Sequence, residues 1–195
     1  MFTIETKAVT DKLRSQYKQL SERAVRTGIA RAINHTLGKT KTASSREIRS
    51  VYRIKAKDIT KSMRITRAYV QRQFGELVAS GQPLSAMAFG ARQTKKGVSI
   101  NVKGQRKLIR GAFLATMKSG KQGVFARGRY GKDGFEFRTK RIRKKGNDLP
   151  IEELKTIAVP QALAHNAVLN NLGKKMEADY PGRLQHELKY LASKI

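Results

Sequence analysis

Apolar residues recur at spacings of three and four over the first part of the chain. The members of this stripe are Val9, Leu13, Tyr17, Leu20, Ala24, Val25, Ile29 and Ile33. Residues with that spacing share one face of a helix, so the pattern predicts a helix from residue 7 to about 35. Residues 34–38 then indicate a break, because Gly38 is suited to the left-handed conformation that ends many helices.

Two further helices are predicted before residue 67. The first covers about 39–52. The second is short and begins near Ala56, so that Ile59 and Met63 would be its buried residues. The first third of the chain is therefore expected to be helical and strongly basic.

The hydrophobic period shortens after about residue 67, which indicates strands. Residues 68–79 alternate loosely and stop at a turn cluster, SGQP. Beyond it the predicted strands are 84–90 paired with 98–102, 112–117 paired with 123–127, and the short segment 135–137. The segment 128–134 lies between them and is predicted to be too glycine-rich to hold a fixed shape unaided.

A second long apolar stripe predicts helical structure near the end of the chain. Its members are Leu163, Ala167, Leu172, Met176, Tyr180, Leu184, Leu188 and Leu191. Pro160 suits the first turn of a long helix, where a missing N–H costs nothing. Pro181 and Gly182 interrupt the stripe, so a kink or a restart is expected there.

Helices, then short antiparallel strands, then a terminal helix define an α+β fold. The expected architecture has N-terminal helices and a small antiparallel sheet on which a long C-terminal helix packs. Three regions are predicted: a basic helical region 1–66, a β region with a basic glycine-rich loop 67–148, and a helical region 149–195. The length of 195 residues suits one domain with extended arms.

The positive charge is unevenly distributed along the chain. Forty-two Lys+Arg against 14 Asp+Glu give a formal net charge of +28, yet residues 148–195 are balanced. The excess therefore lies in residues 1–147, and residues 77–132 contain no acid. Charge of one sign on this scale repels itself unless a polyanion lies close, so a nucleic acid is the expected partner. An amphipathic membrane anchor rich in Trp or Phe is missing from the pattern, and no membrane association is predicted.

The residues offer little catalytic chemistry, and neither a cofactor nor a metal site is predicted. His35, His165 and His186 are scattered and lack metal-ligand spacing. Asp133 and Glu136 lie inside a Lys/Arg-rich segment, where the simpler interpretation is local ion pairing. The alternative is that these two acids are metal ligands of a structure-specific nuclease.

The candidate contact residues for a nucleic acid or an acidic partner gather within 127–145. They are Arg127, Arg129, Lys132, Arg138, Lys140, Arg141, Arg143, Lys144 and Lys145. Flexible cationic side chains and accessible glycine N–H groups suffice for phosphate contact, so binding should be independent of sequence and sensitive to salt. Phe135 and Phe137 alternate as strand residues do, which favours core packing over base stacking.

Three blocks in fixed order resemble the phage minor tail protein Z family. The first comprises 30–36 (ARAINHT), 44–48 (SSREI) and 54–59 (IKAKDI). The second comprises 111–120 (GAFLATMKSG) and 123–127 (GVFAR), and the third comprises 149–154 (LPIEEL) and 159–161 (VPQ). The resemblance is clearest over about 25–165.

The resemblance implies a non-enzymatic virion component that is made in the bacterial host cytoplasm. Such tail-completion proteins act at the head-proximal end of the tail, where head and tail join. The implied partners are the tail terminator and tube proteins, further copies in a homo-oligomeric ring taken as a hexamer, and DNA in the channel. The resemblance supplies no catalytic motif, so the contact residues above depend on charge alone.

Two other functions remain open at the level of sequence. A free nucleic-acid-binding protein, ribosomal-like or nucleoid-like, would bind any duplex without tail partners. A nuclease would require magnesium-dependent cleavage that is lost on Asp133→Asn.

Overall fold

The computed structural model describes residues 7–131, 134–137 and 151–194. The chain forms two compact units. Unit 1 contains Met1–Ile48, Ala56–Gly81 and Pro160–Ile195, and unit 2 contains Arg49–Lys55 and Gln82–Val159. The order of helices and short antiparallel strands confirms the α+β class.

Unit 1 is mainly helical. Its elements are α1 Lys7–Gln16, α2 Glu22–Val51 (whose last three residues belong to unit 2), α3 Ala56–Lys61, β1 Met63–Thr66, β2 Glu76–Ala79, α4 Val159–Leu163 (whose first residue belongs to unit 2) and α5 Asn166–Ala192. Strands β1 and β2 pair antiparallel, with Met63 opposite Ala79. The short third helix is confirmed: Ile59 is fully buried, and Met63 is buried at the start of β1.

The long first helix was predicted with its break in the wrong place. The chain leaves the helix at 17–21, where the Oγ of Ser21 accepts a hydrogen bond from the N–H of Ala24 at 3.3 Å and caps α2. Helix α2 then continues through Gly38 to Val51. Gly38 does not adopt a positive φ, so it is an interior helical residue.

Close packing between α2 and α5 explains why α2 does not break. Small residues recur among the buried positions of α2: Gly28, Ala32, Thr36, Thr40 and Ser44. A Cβ placed on Gly28 would lie 3.1 Å from Cδ2 of Leu188 on α5. The core of unit 1 comprises Leu20, Val25, Ile29, Ala32, Tyr180, Leu184 and Leu188. Burial of this face outweighs the weak helix propensity of one glycine.

Ion pairs link the same two helices at regular intervals. They join Arg31 to Glu187, Lys39 to Asp179, and Glu47 to Lys175. The α2 members are eight residues apart, and their partners descend along α5, so the two helices are antiparallel. This register agrees with the predicted apolar stripe on α5, of which Leu172, Tyr180, Leu184 and Leu188 are buried.

The two proline predictions near the end of the chain differ in outcome. Pro160 lies in a first turn as predicted, but that helix, α4, is only 5 residues long and the chain turns before α5. Pro181 lies inside α5, which continues on both sides of it, so the alternative of a restart is wrong.

Unit 2 is built from antiparallel strands. Its elements are a 3-10 helix Ala86–Phe89, β3 Arg92–Thr94, β4 Gly97–Asn101, β5 Arg106–Arg110, β6 Ala112–Thr116, β7 Gln122–Gly131, β8 Gly134–Phe137 and β9 Ile151–Glu153. One sheet has the order β3-β4-β5. In the other, β7 pairs with β6, β8 and β9.

The predicted hairpin of residues 112–117 and 123–127 is confirmed as β6 and β7. The strand predicted over 84–90 is wrong. Ser85 caps the 3-10 helix there by accepting from the N–H of Met87, and Phe89 turns into the core at 1% exposure. The strand at 98–102 is confirmed as β4, although its partners are β3 and β5.

The glycine-rich segment is partly ordered by pairing, contrary to expectation. Strand β7 runs as far as Gly131 and pairs with β8. A Cβ on residue 128 would lie 2.1 Å from the carbonyl oxygen of Glu136. The two strands can therefore pair here only because residue 128 is a glycine. Core packing of the β8 aromatics is not what the structure shows: Phe137 is 39% exposed, and its ring meets the Phe135 ring edge-on at 4.9 Å.

Candidate nucleic-acid interface

The positive charge is concentrated in unit 2. Unit 2 has 22 Lys+Arg against 5 Asp+Glu, which gives +17, whereas unit 1 has 20 against 9, which gives +11. Unit 2 is also the smaller unit in chain length. Unit 2 therefore attracts a polyanion more strongly than unit 1 does.

Two of the nine sequence-predicted contact residues lie in the described part of the chain. Arg127 and Arg129 are both exposed on β7, two residues apart and so on the same face of the strand. The Nε of Arg129 lies 3.3 Å from Oε2 of Glu136 on β8, and both side chains are exposed. Such a pair contributes little to stability and partly offsets the charge of Arg129. The other seven, Lys132, Arg138, Lys140, Arg141, Arg143, Lys144 and Lys145, lie outside the described residues.

The two acids of the nuclease alternative are not seen together. Asp133 lies outside the described residues, and Glu136 forms the ion pair with Arg129. Within the described ranges, no group of three or more His, Cys, Asp or Glu side chains is arranged to hold a metal ion.

The structure shows a second concentration of positive charge that sequence reasoning missed. A groove of about 570 Å³ in unit 2 is lined by five cationic side chains and by no acidic one. We call it the cationic groove; its charged residues are Arg49, Arg53, Lys55, Arg92 and Arg106. All five are exposed to solvent.

Backbone and side-chain hydrogen bonds fix the shape of the cationic groove. The N–H of Arg53 donates to the carbonyl of Val102 at 2.9 Å and ties the segment after α2 to the end of β4. Arg106 donates from Nη2 to the carbonyl of Gly90 at 2.9 Å and from Nε to Oγ of Ser99 at 3.0 Å. The wall formed by residues 88–92 is thereby held against the β3-β4-β5 sheet.

The floor of the groove is apolar but covered. Tyr52, Ile54 and Phe89 line it and are each less than 5% exposed. The Nζ of Lys103 lies 5.3 Å from the centre of the Tyr52 ring, in cation–π geometry. The charged groups that line the groove are therefore all cationic, and none of its large apolar side chains presents an open face.

The acids of unit 2 do not reduce the charge of this groove. Its three described acids, Glu136, Glu152 and Glu153, all lie outside the lining. Glu153 pairs with Lys121. Burial acts to raise the pKa of Glu153, but hydrogen bonds from Lys121 and Ser85 outweigh it and hold the pKa below its ordinary value. Glu153 therefore remains ionised and serves to fix β9 and its surroundings.

A signal for this groove was present in the sequence. The acid-free stretch 77–132 supplies Arg92 and Arg106, the end of α2 supplies Arg49, and the segment after α2 supplies Arg53 and Lys55. What the sequence did not contain was the pairing of Arg53 with Val102, which brings these two stretches together.

An α+β protein with a strongly basic β unit fits a structural component of a nucleic-acid-containing particle. The family model of prophage minor tail protein Z (GPZ) matches residues 10–193, and the chain belongs to this family. It is thus a phage minor tail protein, a component of the virion that interacts with other tail proteins. No curated protein and no solved structure matches the chain. In the part of the chain that the structure describes, every helix is too short or too polar to span a bilayer.

Proposed function

We propose that this protein completes the head-proximal end of the phage tail, at the junction of head and tail, and acts there without catalysis. Membership of the minor tail protein Z family supports a structural role in the tail. The position at the junction of head and tail is what the resemblance to the minor tail protein Z family implies for tail-completion proteins.

The protein acts in this proposal as a ring, taken as a hexamer, around the path of DNA. The observation that carries the DNA contact is the +17 charge of unit 2 with its acid-free cationic groove. Six copies would carry six times the net charge of +28, and such a ring closes only when its charge faces DNA or acidic neighbours. Unit 2 faces that polyanion in the proposed ring, and the contact is independent of base sequence.

The charge-balanced C-terminal region suits contacts with neighbouring proteins. Between 148 and 195 the acidic and basic residues are equal in number, so like-charged copies can approach there without strong repulsion. The tail terminator and tube proteins are the proposed neighbours.

The test is to make tails with and without this chain and to score head joining by negative-stain imaging. Tails that lack the protein should fail to join filled heads and should give no infectious particles. Normal joining and infectivity in its absence would overturn the proposal.

The charge of unit 2 also favours a second candidate, a free nucleic-acid-binding protein. A monomer that binds any duplex in solution, and that is absent from purified particles, would support this candidate. Recovery of the protein in purified tails would exclude a purely free role.

A further inference from the structure

We infer that the cationic groove is a binding site for the phosphodiester backbone of DNA. In this site Arg49, Arg53, Lys55 and Arg92 contact phosphates, and Arg106 is a positioning residue. The inference rests on the proposed function, in which DNA is the polyanion, and gives that contact a defined place in unit 2.

The charges of the groove are available for a ligand. Among the described residues, the side chains of Arg49, Arg53, Lys55 and Arg92 form no ion pair. Four exposed cations around one groove, without a carboxylate between them, create a local positive potential that attracts phosphate.

The groove is assembled before any ligand arrives. Its cations come from the end of α2, from the segment after it, and from β3, and the bond from Arg53 to Val102 joins the first two to the sheet. Arg106 uses Nε and Nη2 to hold Ser99 and Gly90, so it shapes the wall beside Arg92. A site on fixed backbone loses less entropy on binding than one on a mobile loop.

The cationic groove suits contact with the phosphodiester backbone of DNA and not with the bases. Stacking on a base needs an exposed aromatic face. Tyr52 and Phe89 are 4% and 1% exposed, and Lys103 covers the Tyr52 ring. Discrimination between DNA sequences is therefore not expected at this site.

The same covered floor favours DNA over an acidic protein segment. Protein partners gain most of their affinity by placing apolar anchors in pockets. The large apolar lining residues Tyr52, Ile54 and Phe89 are each less than 5% exposed, so none of them offers a face to such an anchor. A chain of phosphates needs only the cations.

The test compares two triple variants that carry the same charge change. The groove variant is Arg53→Glu, Lys55→Glu and Arg92→Glu. The control is Lys95→Glu, Lys107→Glu and Lys118→Glu, three exposed cations of unit 2 outside the groove. Fluorescence anisotropy measures the binding of each full-length protein to a labelled duplex over a range of salt concentrations, after circular dichroism has confirmed that each is folded.

The groove variant should lose at least about 10-fold more affinity than the control, and the slope of log affinity against log salt should fall by about 3, one for each lost phosphate contact. Equal losses in the two variants would show that only net charge matters and would overturn the inference. Binding of a polyglutamate of matched charge as tightly as DNA would overturn the assignment to DNA.

A separate assay keeps this inference distinct from the proposed function. Head joining is scored in particles that contain the groove variant. If the variant loses DNA affinity while joining stays normal, the groove is a DNA site but DNA contact is not needed for tail completion. If the variant keeps wild-type affinity and salt slope in solution, the groove inference fails whatever the outcome of joining.

Discussion

Arg106 on β5 donates a hydrogen bond from Nη2 to the carbonyl oxygen of Gly90 at 2.9 Å. Gly90 follows the 3-10 helix with φ 62° and ψ 49°, the left-handed conformation. One arginine thus fixes the turn that leads from the buried Phe89 to β3 and its Arg92. The wall of the cationic groove depends on this contact.

Replacing Arg106 should destabilise unit 2. Arg106→Ala removes donors to Gly90 and Ser99, and hydrogen bonds from a charged donor contribute about 1.5–3 kcal/mol. Arg106 is exposed, so water can replace part of the hydrogen bonding that its side chain provides. We therefore expect the free energy of unfolding to fall by about 1–2 kcal/mol. Chemical denaturation measures it. Lys107→Ala, the exposed neighbour on β5, is the control and should change stability by less than about 0.5 kcal/mol; equal effects would contradict the role of Arg106.

Gly38 and Gly28 on α2 should respond to substitution in opposite directions. Gly38 is an interior helical residue, and no described atom lies within 4 Å of a Cβ placed there. Gly38→Ala should therefore stabilise the protein by up to about 1 kcal/mol. Gly28→Leu should destabilise it by about 2 kcal/mol or more, since even a Cβ at Gly28 would lie 3.1 Å from Leu188.

Thermal unfolding of the two variants decides between a continuous helix and a break. If Gly38 ended a helix in the left-handed conformation, Gly38→Ala would lower the midpoint, because alanine tolerates that conformation poorly. A lowered midpoint for Gly38→Ala would contradict the continuous α2.

The error at Gly38 shows where sequence reasoning was limited. The apolar spacing correctly predicted helix on both sides of residue 38, and Ser21 followed by Glu22 was an available signal for the true start of α2. The small residues Gly28, Thr36 and Ser44 carry almost no hydrophobic signal, yet they are buried against other parts of unit 1. For Gly28 the packing partner is Leu188 on α5, more than a hundred residues later in the chain.

Strand predictions succeeded where a turn and strict alternation coincided, as at β6 and β7. They failed at residues 84–90, because a run of apolar residues is equally compatible with the buried 3-10 helix that Ser85 caps. The sequence predicted the type of candidate site, a cationic surface that binds nucleic acid without sequence preference. The cationic groove was missed because Arg53 and Arg92 are far apart in the sequence. They line the same groove only once the chain has folded.

Gly97 should tolerate no side chain. A Cβ there would lie 2.1 Å from the carbonyl oxygen of Ile109, across the ladder between β4 and β5. Gly97→Ala should therefore cost more than about 2 kcal/mol or prevent folding of unit 2. The matched control is Gly104→Ala, which has positive φ but no described atom within 4 Å of its Cβ, and should cost about 1 kcal/mol. Denaturant midpoints that rank the two variants the other way would contradict this packing.

Glu47 should make the stability of unit 1 sensitive to acid. Hydrogen bonds from Lys175 at 2.6 Å and Asn171 at 3.0 Å hold the pKa of Glu47 below its ordinary value of 4.5, and outweigh the effect of burial, which acts to raise it. A carboxyl group with a lowered pKa in the folded state stabilises the fold fully above its unfolded pKa, and that contribution is lost as the pH falls through the folded pKa.

Glu47→Gln should thus lower the free energy of unfolding by about 1 kcal/mol at pH 7, and the difference from wild type should shrink below about pH 4. Urea denaturation between pH 3 and 7 measures both. Glu22→Gln, which removes an exposed pair with Arg26 within one helix, should change stability at pH 7 by less than about 0.5 kcal/mol. A Glu47→Gln difference that does not vary with pH would contradict the role of the carboxylate.

A density map of the assembled particle at the junction of head and tail would locate this chain and the direction in which its cationic groove faces. We expect copies of this chain arranged as a ring at the head-proximal end of the tail, with the cationic groove of unit 2 facing DNA density. A map in which the groove faces bulk solvent, or in which the chain occupies another part of the tail, would contradict this arrangement.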